Sequence, residues 1–263
     1  MNTIKSHSSQ KSARCAEEAR SSVLTFFDAP ATEYAVIFTS NATGAMKLVG
    51  EAFPFVEESS YVLGMDSHNS VNGIRQFALA KGARVTYIPS TSAGGVSESE
   101  TKVPTSLHLQ GQKLIPDPQS VLMTHSPRRR PTCPPSLFAL TGLSNVTNSK
   151  NPLSLMTYAS DLGYYTLLDA AALAPTSTIS LRNTPVDAMA VSFYKMFGFP
   201  TGVGCLVAKK SFLRQLKRPW FAGGTVDAVQ VPGTGLTAAQ ELHEQFEVLS
   251  LSSSPKRGLL KQF

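Results

Sequence analysis

The chain has 263 residues, of which 42% are apolar and 16% are charged, and its net charge is +6. This length and apolar content suit one large domain with a sizeable core. No run of 18 apolar residues occurs, so we expect no membrane span. Apart from Arg128–Arg130 and a basic tail, the basic residues are dispersed, and no stretch interleaves them with aromatic residues, so we expect no nucleic-acid binding. The first 20 residues lack the apolar segment of a secretory signal, and three cysteines without paired spacing indicate no disulfide framework. A cytoplasmic protein is the simplest expectation.

Seven short, mostly apolar runs predict strands that are covered on both faces. Helix-like segments alternate with them, and one over residues 70–82 has a single apolar face and ends at Gly82. This alternation predicts an α/β fold with a mixed, mostly parallel seven-stranded sheet flanked by helices. The predicted strands cover residues 34–40, 60–67, 83–89, 120–126, 164–171, 187–193 and 202–208.

Other parts of the chain give more local predictions. Only a short turn separates the last two strands, so we expect strand 202–208 to run antiparallel to its neighbour. Residues 90–118 are rich in Ser, Thr, Gly and Pro, which favours a long loop or insertion. The segment 248–263 is typical of a disordered tail, which leaves residues 1–247 as the folded domain.

Polar residues follow four of the predicted strands, at the ends where ligands collect in such a sheet. The first strand is followed by "TSNATG", the second by "DSHNS", the fifth by "DAA" and the sixth by "SFYK". Together, these ends indicate a common ligand site, for which we predict no metal ion.

The last of these ends carries Lys195, which has Ser192, Phe193 and Tyr194 before it and Met196 and Phe197 after it. A lysine held among apolar groups loses its proton readily, and such lysines form Schiff bases with carbonyl cofactors. The alternative is a lysine whose stem lies along an apolar surface at a strand end.

The other ends supply complementary groups. A helix that begins near Ala42 and Thr43 offers free N–H groups to a phosphate, although Thr43 also suits an ordinary helix cap. Asp169 requires a cation if it is buried, and a protonated ring nitrogen is one, although a surface or capping aspartate is the alternative. His68 has a ring that can stack on a cofactor, although most lone histidines are structural. A Schiff-base lysine, a phosphate cradle, a carboxylate and a stacking ring together describe a pyridoxal phosphate site.

Several stretches resemble the class V aminotransferase family, and within it the aminotransferase-like domain of molybdenum cofactor sulfurases. "GEAFPF" and "SFYKMFGFPTGVG" are the stretches most specific for that branch. The resemblance implies the large domain of a fold type I pyridoxal-phosphate-dependent transferase and a homodimer. It runs from about residue 6 to residue 247, which implies a truncated or partial chain without the small C-terminal domain. The matching stretches are residues 34–55, 67–83, 136–155, 167–181, 186–207 and 221–226.

The resemblance also implies a role for individual residues. Lys195 would hold the cofactor and move the substrate's α-proton, Asp169 would keep the ring nitrogen protonated, and His68 would stack over the ring. The remaining residues would contact the cofactor directly. Asn145 would face the 3′-oxygen, Ala171 or Ala172 would pack near the ring, and Ala42, Thr43, Ser192, Tyr194 and Thr225 of a partner chain would surround the phosphate.

The implied reaction is cysteine desulfuration, with L-cysteine as substrate and the molybdenum cofactor as the eventual sulfur acceptor through a further C-terminal domain. Neither Cys15, Cys133 nor Cys205 matches the family's persulfide cysteine, and Leu143 replaces the family's usual glutamine. Two alternatives therefore stay open. One is a catalytically deficient homologue that binds the cofactor, and the other is a class V enzyme acting on another amino acid.

Overall fold

The structure is a computed structural model that describes residues 7–98, 106–110, 113–117, 134–198 and 201–247. Within these ranges, no helix has the length and apolar character that a membrane span requires. The helices are α1 (His7–Phe26), α2 (Ala42–Ala52), α3 (Asn69–Ala80), α4 (Ser154–Asp161), α5 (Phe193–Phe197) and α6 (Lys210–Leu213).

Nine of the strands form one sheet, and two form a separate hairpin near the end of the described chain. The strands of the large sheet are β1 (Tyr34–Thr39), β2 (Ser60–Gly64), β3 (Arg84–Ile88), β4 (Ser106–Gln110), β5 (Lys113–Asp117), β6 (Leu137–Thr141), β7 (Tyr165–Asp169), β8 (Ala188–Ser192) and β9 (Gly204–Lys209). The hairpin consists of β10 (Val226–Val229) and β11 (Leu236–Ala238).

The strand order in the large sheet is β1-β9-β8-β7-β6-β2-β3-β4-β5. Strands β3, β2, β6, β7 and β8 are parallel neighbours, whereas β9 is antiparallel to both β8 and β1. The predicted mixed, mostly parallel sheet of seven strands therefore corresponds to β1, β9, β8, β7, β6, β2 and β3. The predicted antiparallel direction of strand 202–208 is also confirmed.

Two predictions about this sheet need correction, and two lie outside the described residues. Residues 90–118 are not simply a loop, because the β4–β5 hairpin pairs with β3 and extends the sheet. The alternating "SLHLQ" is a strand pattern that the Ser, Thr, Gly and Pro content of the whole segment concealed. Strand β6, which was not predicted, occupies the position between β2 and β7. The predicted strand 120–126 and the tail 248–263 lie outside the described residues.

Helices cover both faces of the sheet, and each face has its own apolar core. Val36 and Phe38 of β1 pack on one face with α1 and α4, whereas Ile37 packs on the other face with α2 and α3. Successive side chains of a strand point to opposite faces, so a strand covered on both sides reads as a continuous apolar run. The predicted helix 70–82 is confirmed as α3, and Gly82 follows it with a φ of +75°.

A buried ion pair anchors the end of the described chain to the edge strand β1. Arg20 of α1 donates from both terminal nitrogens to the carboxylate of Glu247, at 3.0 and 2.7 Å. The same carboxylate accepts a hydrogen bond of 2.6 Å from the Phe38 N–H, and Arg20 also donates to the Val36 carbonyl. Each of the two charged side chains is only 9% exposed. This cluster, which we call the Arg20–Glu247 clamp, joins α1, β1 and the chain segment before residue 248.

Candidate functional site

The predicted site residues follow the carboxyl ends of strands that share one edge of the sheet. Asp169 is the last residue of β7, and Ser192 is the last residue of the parallel strand β8. His68 lies between β2 and α3, and Lys195 lies in α5 directly after β8. The charges of both His68 and Lys195 act on Asp169, which shows that these three residues lie in one neighbourhood.

Asp169 is a buried carboxylate, with 3% of the residue exposed. Its Oδ1 accepts a 3.1 Å hydrogen bond from the Ala171 N–H. Burial raises the pKa of Asp169, and the Ala171 N–H, His68 and Lys195 partly offset this increase. Among the residues that the structure describes, no basic side chain lies within ion-pair distance of it. The surface-aspartate alternative is therefore wrong, and the carboxylate is suited to a cationic ligand.

His68 is held in place at the start of α3. Its Nδ1 accepts a 3.1 Å hydrogen bond from the Ser70 N–H, so the imidazole caps the helix. Its backbone N–H donates to the Thr141 hydroxyl at 3.1 Å. Both bonds fix the position of the half-buried ring beside the strand ends. His68 thus has a structural contact, the capping bond, in addition to its predicted role in stacking.

The start of α2 approaches β8 closely. The Ala42 N–H donates to the Ser192 hydroxyl at 2.9 Å, which joins two residues predicted to surround a phosphate. Asn41, not Thr43, is the helix cap, because its Oδ1 accepts from the Gly44 N–H at 2.8 Å. Thr43 instead shares a 2.7 Å hydrogen bond with the Ser70 hydroxyl at the start of α3. The ordinary capping interpretation of Thr43 is therefore wrong.

Gly204 makes this close approach possible. A Cβ at this position would lie 2.7 Å from the Asn41 Cα and 2.8 Å from the Asn41 carbonyl carbon, and would also collide with the Val191 carbonyl oxygen. These neighbours are backbone atoms, which cannot rotate away as a flexible side chain can. Gly204 therefore sets the distance between the start of α2 and the β8–β9 pair.

We expect Gly204→Ala to lower the free energy of unfolding by about 1–3 kcal/mol, because the added methyl group overpacks the backbone. The variant should also bind an anionic ligand more weakly at the α2 terminus. Urea unfolding and a phosphate-ester titration measure the two effects. Gly223→Ala is the matched control, since nothing lies within 4 Å of a Cβ added there. Equal stabilities for the two variants would contradict the packing argument.

The remaining predicted residues differ in their surroundings. Ala171 is buried beside Asp169, Ala172 is half-buried, and Tyr194 is 38% exposed. Asn145 is exposed in the turn after β6, where the Ser144 hydroxyl accepts from the Val146 N–H. Asn145 is therefore accessible to a ligand.

Thr225 lies at the base of the β10–β11 hairpin and is only 3% exposed. Its hydroxyl forms 2.9 Å hydrogen bonds with the Ala222 N–H and carbonyl. In the described part of one chain, no hydrogen bond joins it to the other predicted site residues. Within a single chain, the described hydrogen bonds of the Thr225 hydroxyl thus stay within its own turn.

Three residues outside the predicted set contribute to the site. Asn41 caps α2, Gly204 allows its approach, and Thr141 accepts a hydrogen bond from His68. The role of Asn41 could be inferred from the sequence, because Asn is a preferred capping residue directly before a helix. The contributions of Gly204 and Thr141 depend on contacts between distant parts of the chain.

The described residues fit pyridoxal phosphate. A buried carboxylate without a basic partner suits its protonated ring nitrogen, and Lys195 is near enough for its charge to act on that carboxylate. The start of α2 and the Ser192 hydroxyl meet where a phosphate would bind.

Comparison with known families agrees with this geometry. Residues 2–108 and 131–248 match the family described as Aminotransferase class-V. The chain belongs to the class V aminotransferase family. The predicted resemblance to this family is therefore confirmed.

Curated relatives of this class V domain include molybdenum cofactor sulfurases from plants and animals. The Arabidopsis thaliana protein is 31% identical over 87% of this chain, and the Solanum lycopersicum protein is 35% identical over 80% of it. The predicted resemblance to this branch is also confirmed. The matched region makes up 29% and 27% of these two relatives, respectively, so the chain spans less than a third of their length.

Solved structures share the fold of the class V domain. The cysteine desulfurase from Thermococcus onnurineus NA1 superimposes with a TM-score of 0.73 at 21% identity, covering 97% of this chain and 58% of the desulfurase. A mutant of C-DES, with glycine covalently linked to its pyridoxal phosphate, gives a TM-score of 0.70 at 20% identity and covers 98% of this chain and 62% of its own. At such low identities these similarities establish the fold alone.

Proposed function

We propose that this domain binds pyridoxal phosphate and acts in cysteine desulfuration, with L-cysteine as the sulfur donor for the molybdenum cofactor. The observation that carries the proposal is the buried Asp169 carboxylate, which has no basic partner among the described residues and is influenced by His68 and Lys195. The names of the relatives and of the structural neighbours support the same cofactor and substrate class. We assign this role to residues 1–247 as one domain.

The class V resemblance supports a role for each residue. When bound, pyridoxal phosphate withdraws electrons from the α-carbon of an amino acid. Asp169 would keep a proton on the ring nitrogen, because a buried carboxylate favours a cation beside it. The amine of Lys195 would hold the cofactor and move the α-proton of the substrate. The His68 ring would pack against the cofactor.

The other residues bind and orient the cofactor. Ala42 and Thr43 lie at the start of α2, and the Ser192 hydroxyl contacts the Ala42 N–H from the end of β8. Together with Tyr194 of α5, they would surround the phosphate. Asn145 would face the 3′-oxygen, and Ala171 would pack near the ring.

We further propose a homodimer in which Thr225 of one chain reaches the phosphate of the other. Large apolar side chains are exposed around the hairpin, including Trp220 at 46%, Phe221 at 47% and Val231 at 86%. Exposed apolar groups clustered on one segment favour association with a partner. Size-exclusion chromatography with light scattering tests the dimer, and a monomer at micromolar concentration would contradict it.

A second candidate function is cofactor binding without sulfur transfer. Desulfuration requires an accessible thiolate to accept the sulfur, which leaves alanine as the product. Cys205 is fully buried in β9, where burial raises its thiol pKa, and Cys15 lies on α1. Cys133 lies outside the described residues. The burial of Cys205 removes it as a sulfur acceptor, and this observation favours the second candidate. Because both are free thiols, we propose the cytosol as the compartment.

The test is to add pyridoxal phosphate to the purified chain, reduce with borohydride and map the modified peptide. We expect a single pyridoxyl group on Lys195, because Lys195 follows the strand end beside Asp169. Lys81, an exposed lysine at the end of α3, is the control position, and Lys81→Ala should leave the labelling unchanged. Labelling elsewhere, or none in the folded protein, would overturn the assignment.

Adding L-cysteine then separates the two candidate functions. Alanine formation, with sulfide released when a thiol reductant is added, supports desulfuration if it disappears in Lys195→Ala. A cofactor-labelled chain that forms neither product supports cofactor binding without sulfur transfer.

A further inference from the structure

Thr141 occupies the end of β6, between the strand that leads to His68 and the strand that ends at Asp169. The sheet order β7-β6-β2 gives it this central position. Thr141 is the Cα partner of Asp169 in the parallel β6–β7 register. Its exposure is only 2%, so its hydroxyl depends on protein groups or a bound ligand for hydrogen bonds.

The Thr141 hydroxyl serves both neighbours. Its oxygen accepts from the His68 backbone N–H at 3.1 Å. The β6–β7 register places its side chain beside the Asp169 carboxylate, and the hydroxyl there lowers the pKa of that group. A hydroxyl has one hydrogen to donate and two lone pairs to accept with, so it can satisfy both groups at once.

The backbone around Thr141 is held as firmly as its side chain. The Thr141 carbonyl accepts a 2.6 Å hydrogen bond from the Asn151 side-chain amide, and the next N–H, of Gly142, donates to the Asp169 carbonyl at 2.9 Å. The position of the hydroxyl is thus fixed by the sheet and by Asn151, independently of any ligand.

We propose that Thr141 is a positioning residue that accepts from the His68 backbone N–H, lies beside the Asp169 carboxylate and keeps that carboxylate aimed at a cationic ring nitrogen. The inference rests on the proposed binding of pyridoxal phosphate. Thr141 itself does not touch the reacting atoms. It acts by holding the charge partner of the cofactor in a fixed orientation.

Removing the hydroxyl affects both neighbours at once. In Thr141→Val, which preserves the side-chain shape, the His68 N–H loses its acceptor and the Asp169 carboxylate loses the polar group beside it. The carboxylate then becomes a poorer partner for a positive charge. Thr141→Ser keeps the hydroxyl and should retain the affinity for pyridoxal phosphate.

The experiment measures the affinity of wild type, Thr141→Val and Thr141→Ser by equilibrium dialysis. Two probes are used: pyridoxal phosphate and its analogue in which the ring nitrogen is replaced by carbon. For pyridoxal phosphate, we expect Thr141→Val to bind about tenfold more weakly, equivalent to about 1.4 kcal/mol, and Thr141→Ser to bind within about twofold of wild type. For the analogue, which has no ring nitrogen to pair with Asp169, the valine variant should bind nearly as well as wild type.

The outcomes separate this inference from the proposed function. If the wild-type chain does not bind pyridoxal phosphate, the proposed function fails and the role of Thr141 fails with it. If wild type binds but Thr141→Val weakens both probes equally, or neither, only the positioning role is overturned. A loss confined to the probe with the ring nitrogen, restored by serine, establishes the role.

Discussion

Asp169→Asn is expected to reduce turnover strongly while stabilising the cofactor-free protein at neutral pH. In any form of the protein that turns over L-cysteine, loss of the buried charge partner should cost about 3–5 kcal/mol, or roughly 10²- to 5 × 10³-fold in rate. The amide can still accept the Ala171 hydrogen bond, so the local fold should persist. Steady-state alanine formation measures the effect, and unchanged turnover would show that the assigned role is wrong.

The stability effect of the same substitution has a defined pH dependence. Burial raises the pKa of Asp169 in the folded protein above its unfolded value. The folded state therefore binds the proton more tightly, and the stability that this proton confers is present in acid and is lost as the pH rises through the folded pKa. The substituted amide carries no charge at any pH, so Asp169→Asn should be more stable than wild type at pH 7 and should lose this advantage in acid. Chemical unfolding without cofactor at both pH values measures the difference, and a less stable variant at pH 7 would contradict it.

Breaking the Arg20–Glu247 clamp is expected to have the largest effect on folding. Glu247→Ala leaves the Arg20 guanidinium buried with only the exposed carboxylate of Glu17 as its ion-pair partner, and it also removes the acceptor of the Phe38 N–H. We expect the free energy of unfolding to fall by about 3–5 kcal/mol, as for other buried pairs that lose one partner. Urea unfolding followed by circular dichroism measures this change.

Two further variants identify the cause of that effect. Arg14→Ala breaks a pair whose side chains are 81% and 62% exposed, so it should change stability by less than about 1 kcal/mol. Replacing both clamp residues, Arg20→Met with Glu247→Leu, should recover much of the lost stability, since no unpaired charge stays buried. If the single and double variants were equally unstable, loss of packing rather than charge would be responsible.

The sheet, and the grouping of several candidate site residues at one of its edges, were predictable because both depend on local patterns. Continuous apolar runs identified the buried strands, and polar residues directly after them identified His68, Asp169 and Lys195. Strand β6 was missed, although Leu137–Thr141 is apolar and fully buried, because a competing apolar run at 120–126 already completed a seven-strand pattern. Nothing in the local sequence shows which of two such apolar runs forms the strand.

The supporting residues were not predictable for a different reason. Thr141 contributes to the site only because β6 pairs with β7 in a particular register and β2 lies on its other side. Gly204 matters because the start of α2, far away in the chain, comes within contact distance of β9. A single sequence contains no local sign of either contact, since both arise from the packing of distant segments.

The pairing of β1 with β9 has a consequence for how the protein is made. In the described sheet, β1 has β9 as its neighbour, although most of the chain separates these two strands. During synthesis, β1 therefore has no strand partner until residue 209 has left the ribosome. The contact between Ala42 and Ser192 also forms only then, because Gly204 of β9 sets that approach. Pairings between such distant segments are slow to form, so a ligand that binds there can stabilise the finished fold but cannot guide its early steps.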